Sequence, residues 1–430
     1  MQSHLTPGGQ AETIGRTDIV ETDTPHALVF IPMTDSNLQF TQRQAPERGF
    51  PETEFESRLQ AAQGLMAAQR VSALLLSTEP EVRYFSGFQT QFWQSPTRPW
   101  FLVVPAKGKP IAVIPAIGAD AMARTWIEDI RTWPAPRPAD DGVTLLGAAL
   151  RDAAGTTGRI GVPMGPETHV RMPLGDFEKL RKTLSGNDFV DATGIVRSLR
   201  MVKSNAEIDK IRHICGLTSS AFEALPALLT QARTEIEAFR IFRTEILNRG
   251  ADDVPYLAGG AGPGGYDDII SPPSDRRLQQ GDLLILDTGA TFDGYFCDFD
   301  RNFAIGKAAD QTRRAYETLF AATRAGFEAA RPGATTTDLF HAMWKVLEDG
   351  GALGNDVGRL GHGLGMQLTE WPSNTATDNT LLVPNMVITL EPGMCFAPGK
   401  LMVHEENIVI RDGGAEWLTR RAAPELPETG

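Results

Sequence analysis

Cysteine is scarce in this sequence, and its placement excludes one class of protein. Only three cysteines occur in 430 residues, Cys215, Cys297 and Cys395, and none forms a CxxC pair. An odd number of widely spaced cysteines does not fit a disulfide framework. A reducing cytoplasm is therefore the simplest predicted location.

Long apolar runs and clustered basic charge are also missing. No apolar run reaches the roughly 18–20 residues of a spanning helix, and the first thirty residues lack the basic and apolar regions of a secretory signal. The formal charge of −13 and the pI of about 5.1 disfavour binding to nucleic acid or to anionic membrane. We therefore expect neither as a partner.

The length and the patterning predict two domains after an N-terminal arm. A chain of 430 residues is longer than the ~250–300 residues at which a single core stops growing. Residues 1–50 show little periodicity and are predicted to form a partly disordered arm. Residues 51–198 alternate helical and strand patterns, which predicts an α/β domain, and residues 199–430 form the second domain.

Local signals place the main elements. Apolar spacing predicts a helix over Glu54 to Gln69, followed by a buried strand, VSALLLST, and a hairpin, FLVVPAKGKPIAVIP. Ser204 and Glu207 offer a capping box for a long helix. A further helical stretch is predicted from Gln311 to Asp349. The glycine-rich LAGGAGPGGYDD is interpreted as a loop that shapes a substrate entrance.

Two aspartates flank a predicted hairpin in GDLLILDTGATFDGYFCDFDR. Asp287 ends an apolar strand, Asp293-Gly294 is a hairpin signal, and Asp298 lies on the returning strand. A carboxylate there is costly to bury unless it is paired or binds a metal. One such aspartate could cap a turn, but two across a hairpin indicate a cation.

Three later segments add potential ligands. His362 lies between glycines in GHGLG, Glu391 closes the apolar strand of ITLEPGM, and the adjacent Glu405 and Glu406 interrupt LMVHEENIVI. Together with the two aspartates, they make an oxygen-rich site with one imidazole. This set favours Mn, Fe, Co or Zn over a metal selected by thiolates.

These segments resemble the pita-bread family of creatinase, aminopeptidase P, prolidase and methionine aminopeptidase, over roughly residues 50 to 424. The resemblance implies an α+β protein, with a pita-bread C-terminal domain and a smaller creatinase-like α/β domain in front. It also implies a homodimer and a centre of two divalent transition-metal ions. The implied ligands are Asp287, Asp298, His362, Glu391 and Glu405.

The resemblance also bears on the residues around the ligands. Glu405 is preferred to Glu406, because neighbours on a strand face opposite sides and the family motif aligns with Glu405. Arg301 is expected to orient the Asp298 carboxylate, with a surface salt bridge as the alternative. His404 should point away from the metal, as a support behind the ligands or as a structural residue.

The sequence departs from the family peptidases at three positions. Ile270, Gly358 and Thr369 stand where those enzymes carry histidines that move protons or hold the substrate. A metal can activate water without them, and the family implies that Glu391 could accept the proton. Thr369 stands where the family has a catalytic side chain and is therefore a candidate catalytic position.

The function predicted from these features is metal-dependent hydrolysis of a C–N bond in a short peptide or small amide. Two alternatives remain open. One is a lyase acting on a betaine-like substrate such as dimethylsulfoniopropionate, which the aromatic stretches around residues 93 and 371 suggest. The other is a non-catalytic binding protein, which the missing histidines suggest. Candidate substrate contacts are Trp93, Tyr266, Asp268 and Trp371.

Overall fold

The computed structural model describes residues 44–96, 98–354 and 358–429. Most of the predicted N-terminal arm, residues 1–43, lies outside the described residues. Pro46–Gly430 form one compact unit. Within the described ranges, no helix combines the length and the apolarity that crossing a bilayer requires.

The first half of this unit is built on one six-stranded mixed sheet with the strand order β4-β3-β2-β1-β5-β6. The predicted hairpin is present, because β2 and β3 pair antiparallel. The strands are β1 Ala73–Leu76, β2 Phe101–Pro105, β3 Ile111–Pro115, β4 Asp129–Trp133, β5 Arg159–Val162 and β6 Asp188–Asp191. The helices are α1 Glu52–Gln69, α2 Glu79–Ser86, α3 Ala119–Met122, α4 Val143–Ala154, α5 Leu174–Thr183 and α6 Thr193–Met201.

The second half repeats one order of elements, two helices followed by strands. The helices α7 Asn205–Leu229 and α8 Glu235–Asn248 precede β7 Asp253–Ala258, β8 Ala261–Pro263, β9 Asp282–Phe292, β10 Tyr295–Phe296 and β11 Phe299–Ile305. The helices α9 Asp310–Ala329 and α10 Thr336–Asp349 precede β12 His362–Gly363, β13 Glu370–Ser373, β14 Val387–Leu390, β15 Gly393–Ala397, β16 Lys400–Val403, β17 Glu406–Arg411, β18 Gly414–Trp417 and β19 Glu428–Thr429. The two parts of this half therefore share one order of elements.

Two sheets carry the ligand segments. One has the order β10-β9-β11-β19, and β7 and β8 also pair with β9. The other has the order β13-β12-β14-β17-β18, and β15 and β16 pair separately. The pairings of β9 with β11 and of β12 and β17 with β14 are antiparallel.

Local signals decided several of these elements. The capping box of Ser204 and Glu207 begins α7 as predicted. Asp293 and Gly294 both have positive φ, at 46° and 70°, as a type I′ hairpin turn requires. The helical stretch predicted from residue 311 to residue 349 consists of two separate helices, α9 and α10. Pro332 and Gly333 lie between them and disfavour continuous helix.

Candidate metal centre

Strand pairing brings the five predicted ligands to one place. Asp287 lies in β9, and Asp298 directly precedes β11, its neighbour in the sheet. His362 begins β12, while Glu391 directly follows β14 and Glu405 directly precedes β17. Because β14 pairs with both β12 and β17, the last three residues meet at one end of their sheet.

The innermost part of the centre consists of Asp298, His362 and Glu405. All three are buried, and each offers one ligand atom within 4.8 Å of the other two. His362 Nε2 lies 3.4 Å from Asp298 Oδ2 and 3.7 Å from Glu391 Oε2. His362 Nδ1 lies 2.9 Å from the carbonyl oxygen of Gly363, which can only accept. The proton is therefore on Nδ1, and the Nε2 lone pair faces the carboxylates, as metal ligation requires.

Unsatisfied oxygen atoms indicate that these residues fit a cation. Asp287 Oδ1, Glu391 Oε2 and Glu405 Oε1 are buried and have no hydrogen-bond partner among the described residues. Buried carboxylate oxygens are normally hydrogen-bonded, paired or bound to metal. Four carboxylates and one neutral imidazole, with acceptor atoms converging, match the donor preferences of Mn, Fe, Co and Zn.

Without a cation, the electrostatics of this cluster are unfavourable. Burial raises the pKa of Asp287 to about 6 and that of Glu391 to about 8, with Asp287 adding to the shift of Glu391. Burial and neighbouring carboxylates also raise the pKa of Asp298 and of Glu405. Burial lowers the pKa of His362 to about 3. A bound divalent cation would offset the repulsion among the carboxylates.

The metal-free protein is therefore expected to lose stability as the pH rises from 6.5 to 8.5. A group whose pKa is raised by folding stabilises the fold at low pH, and that contribution is lost as pH rises through the folded pKa, which for Glu391 is about 8. The opposite contribution of His362 is complete above its unfolded pKa, about 6.5. The melting temperature of chelator-treated protein, followed from pH 6.5 to 8.5, measures this loss of stability. Added Mn²⁺ should flatten the trend, and a metal-free melting temperature that rises over this range would contradict it.

Residues absent from the sequence-based predictions hold the ligands in place. The Tyr256 hydroxyl donates to Asp287 Oδ2 at 3.1 Å. Asn407 accepts from the Asp298 amide at 3.0 Å and donates to its carbonyl. A buried asparagine in the apolar strand β17 was a usable signal, whereas Tyr256 reaches the centre only through the pairing of β7 with β9.

The structure corrects the predicted contact of Arg301. Arg301 does not orient the Asp298 carboxylate, and it is not a surface residue. Its buried guanidinium donates to the backbone carbonyl of Glu405 at 3.0 Å and to Glu406 Oε2 at 3.0 Å. Residues three apart on a strand face opposite sides, so Arg301 lies behind the centre and supports the Glu405 segment.

Glu406 and His404 both lie on the far side of β17 from the centre. Glu406 also accepts a hydrogen bond from Thr419 Oγ1 and another, at 3.0 Å, from the backbone amide of Ala422. His404 Nε2 lies 3.6 Å from Glu406 Oε1, and the imidazole packs on the rings of Tyr316 and Phe320. Glu405, the preferred residue of the pair, is therefore the one that faces Asp298 and His362.

A further buried carboxylate near the centre, Asp300, was not singled out in the sequence. It pairs with Asp287 across β9 and β11. It follows Asp298 by two positions, so strand alternation places both side chains on the same face. Burial raises its pKa, and the charge of Asp287 raises it further. Asn302 donates to it at 3.5 Å. Asp300 adds negative charge beside the ligands.

Two of the four predicted substrate contacts have other roles. Tyr266 is only 2% exposed, and its hydroxyl donates to Asn302 and accepts from the amide of Val403, so the prediction for Tyr266 is wrong. Trp93 packs against Trp100 in the core of the first half. Among the described residues, no contact joins Trp93 to a predicted ligand, and tertiary packing has made it a core residue.

Of the other two predicted substrate contacts, Asp268 lies on the surface and Trp371 lies beside the centre. Asp268 is exposed and accepts from the amides of Ile270 and Ser271, which makes it a turn cap within the glycine-rich loop. Trp371 is half-buried in β13, next to the strand that carries His362. Trp371 stays a substrate-contact prediction.

The loop that carries Thr369 is fixed against the centre. A Cβ on Gly289, two residues after Asp287, would lie 2.1 Å from Leu368 Cδ1, so Leu368 packs directly on β9. Thr369 is half-buried and accepts from Arg359 Nη2 at 3.4 Å. Arg359 lies three residues before His362 and was not singled out in the sequence, because its contact to Thr369 depends on the position of this loop.

Buried ion pairs anchor the same loop to the first half. Glu370 lies 2.5 Å from Arg200 Nη2 and 3.1 Å from Lys203 Nζ, and all three side chains are buried. Burial alone would raise the pKa of Glu370, but the two cations outweigh it and lower the pKa to about 2. The Thr369 segment is thereby tied to α6 and to the residues that follow it.

Comparison with known proteins extends these observations over both halves. Residues 209–412 match the model of Metallopeptidase family M24, and residues 58–202 match the Creatinase/Prolidase N-terminal domain. The probable dipeptidase PepE of Mycobacterium tuberculosis is 30% identical over 368 residues, which span 84% of this chain and 93% of that protein.

Solved structures agree in fold. The dipeptidase PepE from Mycobacterium ulcerans superposes with a TM-score of 0.76 at 29% identity, covering 88% of this chain and 99% of that one. A recombinant prolidase from Thermococcus sibiricus superposes with a TM-score of 0.78 at 21% identity, covering 88% and 100%. The fold class predicted from the sequence, a pita-bread domain behind a creatinase-like α/β domain, is confirmed.

Proposed function

This chain belongs to metallopeptidase family M24, and on that premise we propose that it is a dipeptidase that works with two divalent transition-metal ions. Membership makes it a hydrolytic enzyme that uses divalent metal ions. The observation that carries the finer proposal is the cluster of ligand atoms of Asp298, His362 and Glu405. Buried oxygens of Asp287, Glu391 and Glu405 have no hydrogen-bond partner among the described residues, and the Glu391 oxygen lies 3.7 Å from His362 Nε2. The proposed ligands are Asp287, Asp298, His362, Glu391 and Glu405.

The proposed ligands divide into three that are buried, Asp298, His362 and Glu405, and two that are half-buried, Asp287 and Glu391. Asp298 and His362 have side chains that are 6% and 3% exposed, whereas the Glu391 side chain is 21% exposed. The metal ions, when bound, would polarise the scissile carbonyl and lower the pKa of a water molecule. Access for the peptide is therefore from the side of Asp287 and Glu391.

Glu391 is the residue that we propose as the proton acceptor. As the water oxygen bonds to the carbonyl carbon, Glu391 takes a proton from the water. It then gives that proton to the amide nitrogen as the C–N bond breaks, and a carboxylic acid and an amine leave. Thr369 can position substrate through its hydroxyl, whereas its high pKa makes it a poor acid.

A substrate panel tests the proposal. We expect protein reloaded with Mn²⁺, Fe²⁺, Co²⁺ or Zn²⁺ to release amino acids from dipeptides, with Xaa-Pro dipeptides and small amides in the same panel. Free amine is measured after separation. If every metal form leaves the whole panel intact, the dipeptidase proposal fails. Headspace detection of dimethyl sulfide from dimethylsulfoniopropionate would instead support the lyase alternative. The homodimer and the cytoplasmic location stay predictions.

A further inference from the structure

The hairpin turn between Asp287 and Asp298 is held by residues from outside its own sheet. The Asp293 side chain in this turn is 2% exposed, and its carboxylate accepts hydrogen bonds from several distant segments. The donors are the Gly49 amide at 2.8 Å, Arg83 Nη2 at 3.2 Å, Gln89 Nε2 at 3.2 Å and Lys210 Nζ at 2.8 Å. The turn that joins the two ligand strands is therefore fixed to α2, to the segments beside the first half's helices and to α7.

The contacts at this turn are close and charged. Arg83 packs directly on the turn, since a Cβ on Gly294 would lie 1.8 Å from Arg83 Nη1. The side chains of Lys210 and Asp293 are each 2% exposed, so their ion pair is buried. The Asp293 amide donates to Asp252 Oδ2 at 2.7 Å. Because separating a buried ion pair leaves an uncompensated charge, these contacts restrict the turn to one position.

Strand pairing carries the position of the turn to the ligands. The pairing of β10 and of β11 with β9 keeps one register from the turn to the ligand positions. Side chains alternate along each strand, so this register places Asp287 and Asp298 on one face of the sheet. The other three proposed ligands, His362, Glu391 and Glu405, come from the other sheet. The centre therefore forms only when the hairpin is correctly placed against that sheet.

Two points fix the hairpin relative to the other sheet. At the ligand end, Asn407 of β17 bonds to the backbone of Asp298. At the turn end, the fixed point is the carboxylate of Asp293. Ligand atoms in a metal site lie within about 0.2 Å of their ideal distances from the ion. A hairpin that is held at one end only would therefore bind metal less tightly.

We infer that Asp293 is a positioning residue, through which the contacts of the first half set the metal affinity of the centre. This inference rests on the proposed metal centre and extends it beyond the ligands. All five proposed ligands lie in the second half, yet metal affinity depends on Arg83 and Gln89 in the first half.

The test is the dissociation constant of Mn²⁺ for the full chain and for its Asp293→Asn variant, measured by calorimetric titration of protein freed of metal and chelator. Asparagine keeps the turn, because it tolerates the φ of 46° at this position, and it removes the charge that Lys210 and Arg83 hold. Loss of residues that support metal ligands costs about 10- to 100-fold in metal affinity, and we expect about tenfold here. The matched control is Asp412→Asn, in the exposed turn between β17 and β18, which should bind Mn²⁺ like the wild type.

A second variant, Gln89→Leu, removes a neutral donor, leaves the ion pairs in place and decides the question alone if Asp293→Asn does not fold. It should weaken Mn²⁺ binding by roughly 2- to 10-fold, the contribution of one neutral hydrogen bond. Denaturant unfolding with chelator present is measured on the same preparations. Weaker Mn²⁺ binding supports the inference whether or not dipeptides are hydrolysed. Lower stability with an unchanged dissociation constant would overturn it, because Asp293 would then only hold the fold together.

Discussion

Replacing His362 with alanine is expected to lower dipeptide hydrolysis by about 10³-fold or more, since metal assistance contributes several kcal/mol and each 1.36 kcal/mol is a factor of ten. His362 supplies the only imidazole among the five proposed ligands, and its Nε2 lies within 3.7 Å of two carboxylates. Its loss removes a ligand and leaves those carboxylates facing each other. The metal content of the purified variant should therefore fall together with its turnover.

The matched control for this variant is His341→Ala, which removes an exposed histidine from α10. It should keep both metal and activity. Elemental analysis and initial rates on the same preparations give the comparison. A His362→Ala protein that is folded, fully loaded with metal and active would contradict the assignment of His362 as a ligand.

Replacing Glu370 with alanine is expected to destabilise the metal-free protein by about 3–5 kcal/mol, the usual cost of removing one partner from a buried ion pair. The variant leaves the buried cations of Arg200 and Lys203 without their carboxylate. Denaturant unfolding in the presence of chelator measures the change without the added stability of bound metal.

The control for Glu370 is Glu328→Ala, because Glu328 pairs with Arg324 on the surface, where both side chains are more than half exposed. Such pairs contribute little, so this control should unfold close to the wild type. Wild-type stability in Glu370→Ala would mean that the cluster does not hold the Thr369 loop to the first half.

Local sequence predicted where the five proposed ligands lie in their strands and turns, whereas the resemblance to the family supplied the set of five. Asp287 and Glu391 end apolar strands, and the turn residues Asp293 and Gly294 set the hairpin that returns the chain toward Asp298. Strand alternation allows only one of Glu405 and Glu406 to face the metal, and the resemblance to the family motif selected Glu405. Short-range rules of this kind give the order of the elements and the residues at their ends.

The roles that were missed depend on contacts between distant parts of the chain. Tyr266 is buried because its hydroxyl meets Val403, 137 positions away in the sequence. Arg359 contacts Thr369, whose loop packs on β9, and no local sequence pattern predicts that packing. The wrong prediction for Arg301 has another cause. Arg301 follows Asp298 by three positions, and strand alternation alone already placed it on the opposite face.

Metal content measured together with activity tests most directly whether this chain is a metal-dependent hydrolase. One preparation is analysed for transition metals by mass spectrometry and assayed on a dipeptide before chelation, after chelation and after metal is added back. We predict one to two ions per chain, loss of hydrolysis on removal and its return on addition. Full hydrolysis by a preparation stripped of metal would contradict the account.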